Sequence, residues 1–141
     1  MHSSQKRLSN CWQTNRELGS YGETIAARFL QEKGYRILET NKTSRWGEID
    51  LIAQDGETIV FVEVKTKTTT RHGQPYEMVT WKKRQSLMRA AQGYLVRTKN
   101  TDKPCRIDVV SIVLPRTSSF SNTESMLVND IRHFKNIDIS A

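Results

Sequence analysis

Trp46-Gly47-Glu48-Ile49-Asp50-Leu51-Ile52-Ala53-Gln54-Asp55-Gly56-Glu57-Thr58-Ile59-Val60-Phe61-Val62-Glu63-Val64-Lys65 is the stretch on which the fold turns. Two runs rich in Ile, Val and Phe flank an Asp-Gly pair, the strongest short-range signal for a hairpin. With Asp55-Gly56 as a two-residue turn, Gln54 faces Glu57, Glu48 faces Glu63 and Asp50 faces Phe61. Side chains alternate between the faces of a sheet. This places Ile49, Leu51, Val60, Val62 and Val64 on one side, and Glu48, Asp50, Phe61, Glu63 and Lys65 on the other.

The second face gathers three carboxylates and one ammonium. Like charges directly opposed destabilise a sheet; two carboxylates ~5 Å apart at an effective dielectric of ~20 repel by roughly 3 kcal/mol. Lys65 offsets one of them. A hard divalent cation such as Mg2+, typically held by one or two carboxylates and a substrate phosphate, would offset the rest. A solvated outer face is the alternative, since high dielectric cuts the repulsion to about 1 kcal/mol or less. Val60–Lys65 is otherwise continuously apolar, as in a strand covered on both faces, and carboxylates on a covered face are costly unless paired.

A chain of 141 residues forms one domain large enough to bury about two-thirds of its unfolded surface. No apolar run approaches the ~18 residues of a membrane span. Met1–Arg7 is basic but has no apolar stretch after it, unlike a secretory signal. Cys11 and Cys105 stand apart from each other and from any His, which argues against structural zinc and a disulfide framework and for a reducing cytoplasm. Net charge is +7, and Lys65–Arg106 holds eleven Lys/Arg against Glu77 and Asp102, so this segment alone exceeds the excess of the whole chain. Such a patch suits a polyanion, nucleic acid before membrane; a merely soluble basic surface is the bland alternative.

Residues 1–15 are polar and aperiodic, as in a loosely held tail, and 16–141 read as the single domain. Leu18, Ile25, Ala26, Phe29 and Leu30 predict a helix over Arg16–Gly34, stopped by Gly34. Glu23 sits at the edge of its apolar stripe, either as a rim residue or as a carboxylate aimed into a cleft. Tyr35–Thr40 reads as a first strand, Asn41–Arg45 as a turn, and Thr66–Pro75 as a loop. A second helix is expected over Glu77–Arg97, with Trp81-Lys82-Lys83-Arg84 making its first half basic against the helix dipole. Thr98–Pro104 is a linker, Arg106–Leu114 an interior strand, Pro115–Ser125 a flexible connection and Met126–Phe134 a final edge strand. The order implies an α/β fold, a mixed sheet flanked by helices, with a right-handed crossover between parallel strands.

Gly22-Glu23, Gly34-Tyr35, Asn41, Gly47-Glu48-Ile49-Asp50-Leu51-Ile52, Phe61-Val62-Glu63-Val64-Lys65 and Arg106-Ile107-Asp108-Val109-Val110 resemble the YraN family from about Leu18 to Leu114. That family is similar to archaeal Holliday-junction resolvases and to the PD-(D/E)xK nucleases. The resemblance implies a restriction-endonuclease-like α-β-β-β-α-β core, in agreement with the order above. It assigns Asp50, Glu63 and Lys65 to the nuclease motif and Glu23 to the first-helix glutamate of the resolvase branch. Ile49 replaces the motif's proline, and Lys67 stands where relatives often carry arginine, which loses a bidentate fork. Glu48 belongs to the motif without an assigned role.

The implied function is a metal-dependent endonuclease acting on DNA, branched DNA included. Asp50 and Glu63, with the Val64 carbonyl, would hold Mg2+ or Mn2+ and so activate a water and polarise the phosphate. Lys65 would orient that water or stabilise the transition state, and Glu23 would ligate or position through water. Arg45, Lys67, Lys82, Lys83 and Arg84 would grip the phosphate backbone. Trp46 and Trp81 could stack on bases, although burial in the core is the expected fate of both. His2, His72 and His133 suggest no ligand set. A non-catalytic nucleic-acid- or partner-binding role, and RNA processing at the same site, are the competing readings. A homodimer would match the two-fold symmetry of a junction.

Overall fold

The computed structural model describes residues 15–68, 71–115, 128 and 130–137. Apart from Asn15 and Pro115, the expected N-terminal tail and the 115–125 connection lie outside these residues. Helix α1 (Asn15–Glu32) precedes three antiparallel strands, β1 (Arg36–Ser44), β2 (Gly47–Asp55) and β3 (Thr58–Lys67). A short helix α2 (Pro75–Met78) and helix α3 (Trp81–Arg97) lead to β4 (Cys105–Val113) and β5 (Asp130–Phe134). The sheet runs β1-β2-β3-β4-β5. β4 is parallel to β3 and β5 antiparallel to β4, so the expected mixed α/β fold with its α-β-β-β-α-β order is present.

The two helices cover opposite faces. Ile25, Ala26 and Leu30 of α1 pack against Leu51, Val60, Val62, Val110 and Ile112. Leu87, Ala91, Tyr94 and Leu95 of α3 pack against Ile52, Ile59, Phe61 and Val109. Each large aliphatic or aromatic side chain so covered contributes about 1.5–3 kcal/mol, which explains the near-continuous apolar sequence of β3 and β4.

Local signals fix the helix ends. Gly34, at φ +93, closes α1, with Tyr35 N–H donating to the Leu30 carbonyl and Gly34 N–H to that of Gln31. This is the paired-bond arrangement that satisfies terminal carbonyls. The helix expected over Glu77–Arg97 is broken at Val79-Thr80, because the Thr80 hydroxyl accepts from Lys83 N–H at 3.1 Å and begins α3 at Trp81. β1 extends to Ser44, so the turn lies at Arg45-Trp46 and not over Asn41–Arg45.

The central hairpin has a different register from the expected one. Asp55 pairs with Thr58 and Leu51 with Val62, leaving Gly56-Glu57 as the turn. Gly56 has φ +61 and takes the first central position, where this turn requires a residue free of a Cβ. The two-residue offset removes Glu48 from Glu63 and directs Asp50 toward Glu63 instead of Phe61. Ile49 also changes sides: it packs with Ile52 and Phe61 beneath α3, not with Leu51 and Val62.

That change marks a fork in the sheet. Pairing of β2 with β3 ends at Leu51 and Val62, whereas β1–β2 pairing continues to Gly47 and β3–β4 pairing to Lys67. Asp50 sits in the fork.

Candidate active site

Asp50 is fixed by its own carboxylate. Oδ2 accepts the Val64 N–H at 2.8 Å, a backbone donor that the ladder would otherwise have used. Three more acids surround it. Glu23 arrives from α1 and Glu48 from β2, and each of the two offers an oxygen within 4.8 Å of one from the other and one from Asp50. Glu63 approaches from the α3 side of β3; it is 4% exposed.

The Glu63 carboxylate is asymmetrically supported. Oε2 lies 3.4 Å from Lys65 Nζ and 3.9 Å from Lys83 Nζ. Oε1 is buried and has no hydrogen-bond partner. Burial, followed by the charge of Asp50, pushes the Glu63 carboxyl up to about 7 against the pull of Lys83 and Lys65. Burial and the charges of Asp50 and Glu48 likewise push Glu23 up to about 7. Such a group of acids gains near neutral pH from taking up protons or binding a cation. Oxygen donors at this density suit a hard divalent ion.

Asn41 supplies a neutral side-chain donor. It lies in the left-handed region at φ 49, a conformation asparagine tolerates. With its amide nitrogen turned to the acids, it donates to Glu23 Oε1 at 2.7 Å and Glu48 Oε1 at 3.3 Å. The sequence marked Asn41 without a role. Gly22 brings Glu23 into place, for a Cβ there would overlap Thr66 Oγ1, so α1 can approach β3 this closely only with glycine.

The other predicted residues divide into two groups. Lys83 belongs to the acidic site itself, beside Glu63, and not to an outlying basic patch. Arg45 is exposed, with its guanidinium 5.4 Å from the Trp46 ring; Lys82 is exposed, and Lys67 half-buried near Gly73. Arg84 departs from expectation. It lines a separate cleft with Phe61, Met88 and Ile137, and its Nε is buried without a partner. Trp46 packs partly buried against Gly93, whereas Trp81 is 64% exposed, contrary to the expected burial of both. Trp81 opens α3, and its first turn points the side chain away from the core that Leu87 and Ala91 fill.

Two polar networks were not legible in the sequence. His72 bridges Ser111 Oγ (2.8 Å) and Asp130 Oδ2 (2.7 Å), tying the loop after β3 to β4 and β5. Ser111 is fully buried, so this Ser-His-Asp arrangement exposes no nucleophile. Asp108, also fully buried, accepts from Arg106 Nε (3.0 Å) and Asn136 N–H (2.9 Å) and bonds His133 Nε2 at 2.8 Å. Although burial opposes it, these partners hold the Asp108 carboxyl below its usual value. Arg106 continues to the Tyr35 hydroxyl and Asp55. The Arg106-Asp108 pair of the sequence motif is therefore a scaffold element.

Residues 22–112 match the model of the uncharacterised protein family UPF0102. The chain belongs to this family. The matched span starts at the glycine that seats α1 and includes Glu23, Asn41, Glu48, Asp50, Glu63, Lys65 and Lys83. Among UPF0102 relatives, one from Syntrophomonas wolfei is 49% identical over 100 residues, covering 71% of this chain and 87% of its own. Another, from Symbiobacterium thermophilum, is 51% identical over 98 residues, or 70% and 83%. A third, from Geobacter metallireducens, is 46% identical over 98 residues, or 70% and 80%. Among the described residues, no helix is long and apolar enough to cross a membrane.

Proposed function

We propose that this UPF0102 protein is a metal-dependent endonuclease that hydrolyses phosphodiester bonds, in DNA before RNA. The observation that carries the reading is the buried, unpartnered Oε1 of Glu63 beside the Asp50 carboxylate. Two facing acceptors with no donor between them are costly to bury, and a cation with oxygen ligands removes that cost.

Asp50 and Glu63 would hold Mg2+ or Mn2+, with Glu23 and Glu48 on the α1 side as further oxygen donors. The bound ion would supply Lewis acidity toward a phosphoryl oxygen and a more acidic attacking water. Val64 N–H keeps Asp50 oriented. Lys65 and Lys83 leave Oε1 free by occupying Oε2, and their ammonium groups are placed to balance charge that builds on a phosphate in the transition state. Lys82, Arg45 and Lys67 would contact backbone phosphates, giving affinity without sequence preference.

A binding protein without catalysis is the second reading, favoured by exposed Trp81 next to Lys82. Incubation with Mn2+ or Mg2+ and a four-way junction, a linear duplex or RNA separates the two. The endonuclease reading expects metal-dependent cleavage that Asp50→Ala abolishes while binding survives. Equal cleavage by parent and Asp50→Ala would overturn it, and binding by both without cleavage would leave only the second reading.

A further inference from the structure

Next to Glu23, on the side of Asp50 away from the lysines, a groove of about 340 Å³ runs between α1 and β1. Glu23, Ala27 and Gln31 of α1 line one side, and Thr40, Asn41 and Leu51 of the sheet line the other. From Glu23 to Gln31 is eight residues of helix, about 12 Å of length. Its size falls at the lower end of small-molecule sites, ~300–1,000 Å³.

The lining differs from the rest of the site. Thr24, Thr40, Asn41 and Gln31 offer hydrogen-bonding groups without net charge, and Arg28 is the only cation among the lining residues. Lys65 and Lys83 stand on the opposite side of Asp50, at Glu63. Phosphate charge is thus matched on the α3 side, and an uncharged, hydrogen-bonding group on the α1 side. A nucleoside has that character: a flat apolar face for Ala27 and Leu51 and polar edges for the amide and hydroxyl groups.

We propose that the α1–β1 groove holds a single unpaired nucleotide of the strand being cut, adjoining the scissile phosphate. This rests on the phosphodiesterase reading and narrows its substrate to nucleic acid with an unpaired nucleotide at the cleavage point: a flap, a frayed end, a single strand or an open junction. Continuous duplex must first extrude a base, which costs a few kcal/mol.

The test compares two duplexes of one sequence, fully paired or with one unpaired nucleotide, cut with Mn2+ by the parent, Ala27→Phe and Gln31→Ala. Ala27 is half-buried, packs against the α1-side core and lines the groove, so phenylalanine there extends into the groove. Urea unfolding of the variant reports whether the core tolerates it. The parent is expected to cut the unpaired substrate at least about tenfold faster, matching an extrusion cost of at least about 1.4 kcal/mol. Ala27→Phe should remove most of that preference, and Gln31→Ala part of it, with Mn2+ affinity by calorimetry reporting an intact acidic site. Equal rates on both duplexes, or an unchanged preference in Ala27→Phe, would overturn the proposal and leave the endonuclease reading standing. If the parent cuts nothing, the endonuclease reading fails, and titration with deoxycytidine monophosphate decides the groove separately. Amide shifts at Thr24, Ala27 and Gln31 would support nucleotide binding there, and their absence would refute it.

Discussion

Replacing Glu63 by Gln should make the metal-free protein more stable at neutral pH than at acid pH relative to its parent. The folded-state carboxyl titrates at about 7 against an ordinary 4.5, because it is buried and faces Asp50. Below pH 4.5 it is neutral in both folded and unfolded chains and costs nothing. As the pH rises toward 7 the unfolded chain ionises first, so the folded state loses stability, and the loss levels off above 7. At 1.36 kcal/mol per unit, that difference corresponds to about 3 kcal/mol. Glutamine removes the titration and its amide can donate to Asp50. Urea unfolding in a chelator should therefore show the gain from Glu63→Gln growing by about 3 kcal/mol between pH 4.5 and 7.5. With a slope near 1.5 kcal/mol/M, this equals about 2 M in midpoint. The lowered values of Asp108 and Asp130 do not interfere, since their contributions are lost only as the pH falls through values below 3.8. Parallel curves for parent and variant across the window would refute the geometry on which the metal site depends.

Mn2+ at 100 times its dissociation constant should raise the unfolding free energy at pH 7.5 by about 2.7 kcal/mol, an increment that calorimetry or urea titration should find missing in Asp50→Asn and Glu63→Gln. Gly22→Ala should cost about 1–3 kcal/mol, because its Cβ collides with Thr66 Oγ1; adding Thr66→Ala should recover most of the loss in urea midpoint. Asp108→Ala should cost about 3–5 kcal/mol in denaturant titration, since Arg106 loses a buried carboxylate. Lys82→Ala should weaken DNA binding uniformly across sequences and reduce the salt slope of the affinity by about 0.9.

The acidic constellation was visible in the residues, but its arrangement was not. Asp55-Gly56 marks Gly56 as the turn glycine, yet the residue order allows it either central position, and the backbone angle and register decide between them. That choice moved Asp50 from Phe61 to Glu63. Lys83 looked like one more cation in a basic run until helix α3, begun by Thr80 and not by Glu77, carried it to Glu63. Residue type alone suggests burial for Trp81 and phosphate contact for Arg84, but helix phase sends one to solvent and the other to a different cleft. The His72 and Asp108 networks join residues 39 and 25 positions apart through β4, a separation over which local pattern carries no information.

The sequence by itself determined the element order, the two covered central strands and the acids that would need a partner, because alternation and apolar runs are local properties of the chain. Only the tertiary structure decided that β2 leaves β3 at Asp50 and that α1 and α3 deliver Glu23 and Lys83 to opposite sides of the opening. Those outcomes depend on close packing between distant segments, as where Gly22 meets Thr66, and packing is settled by the whole core at once.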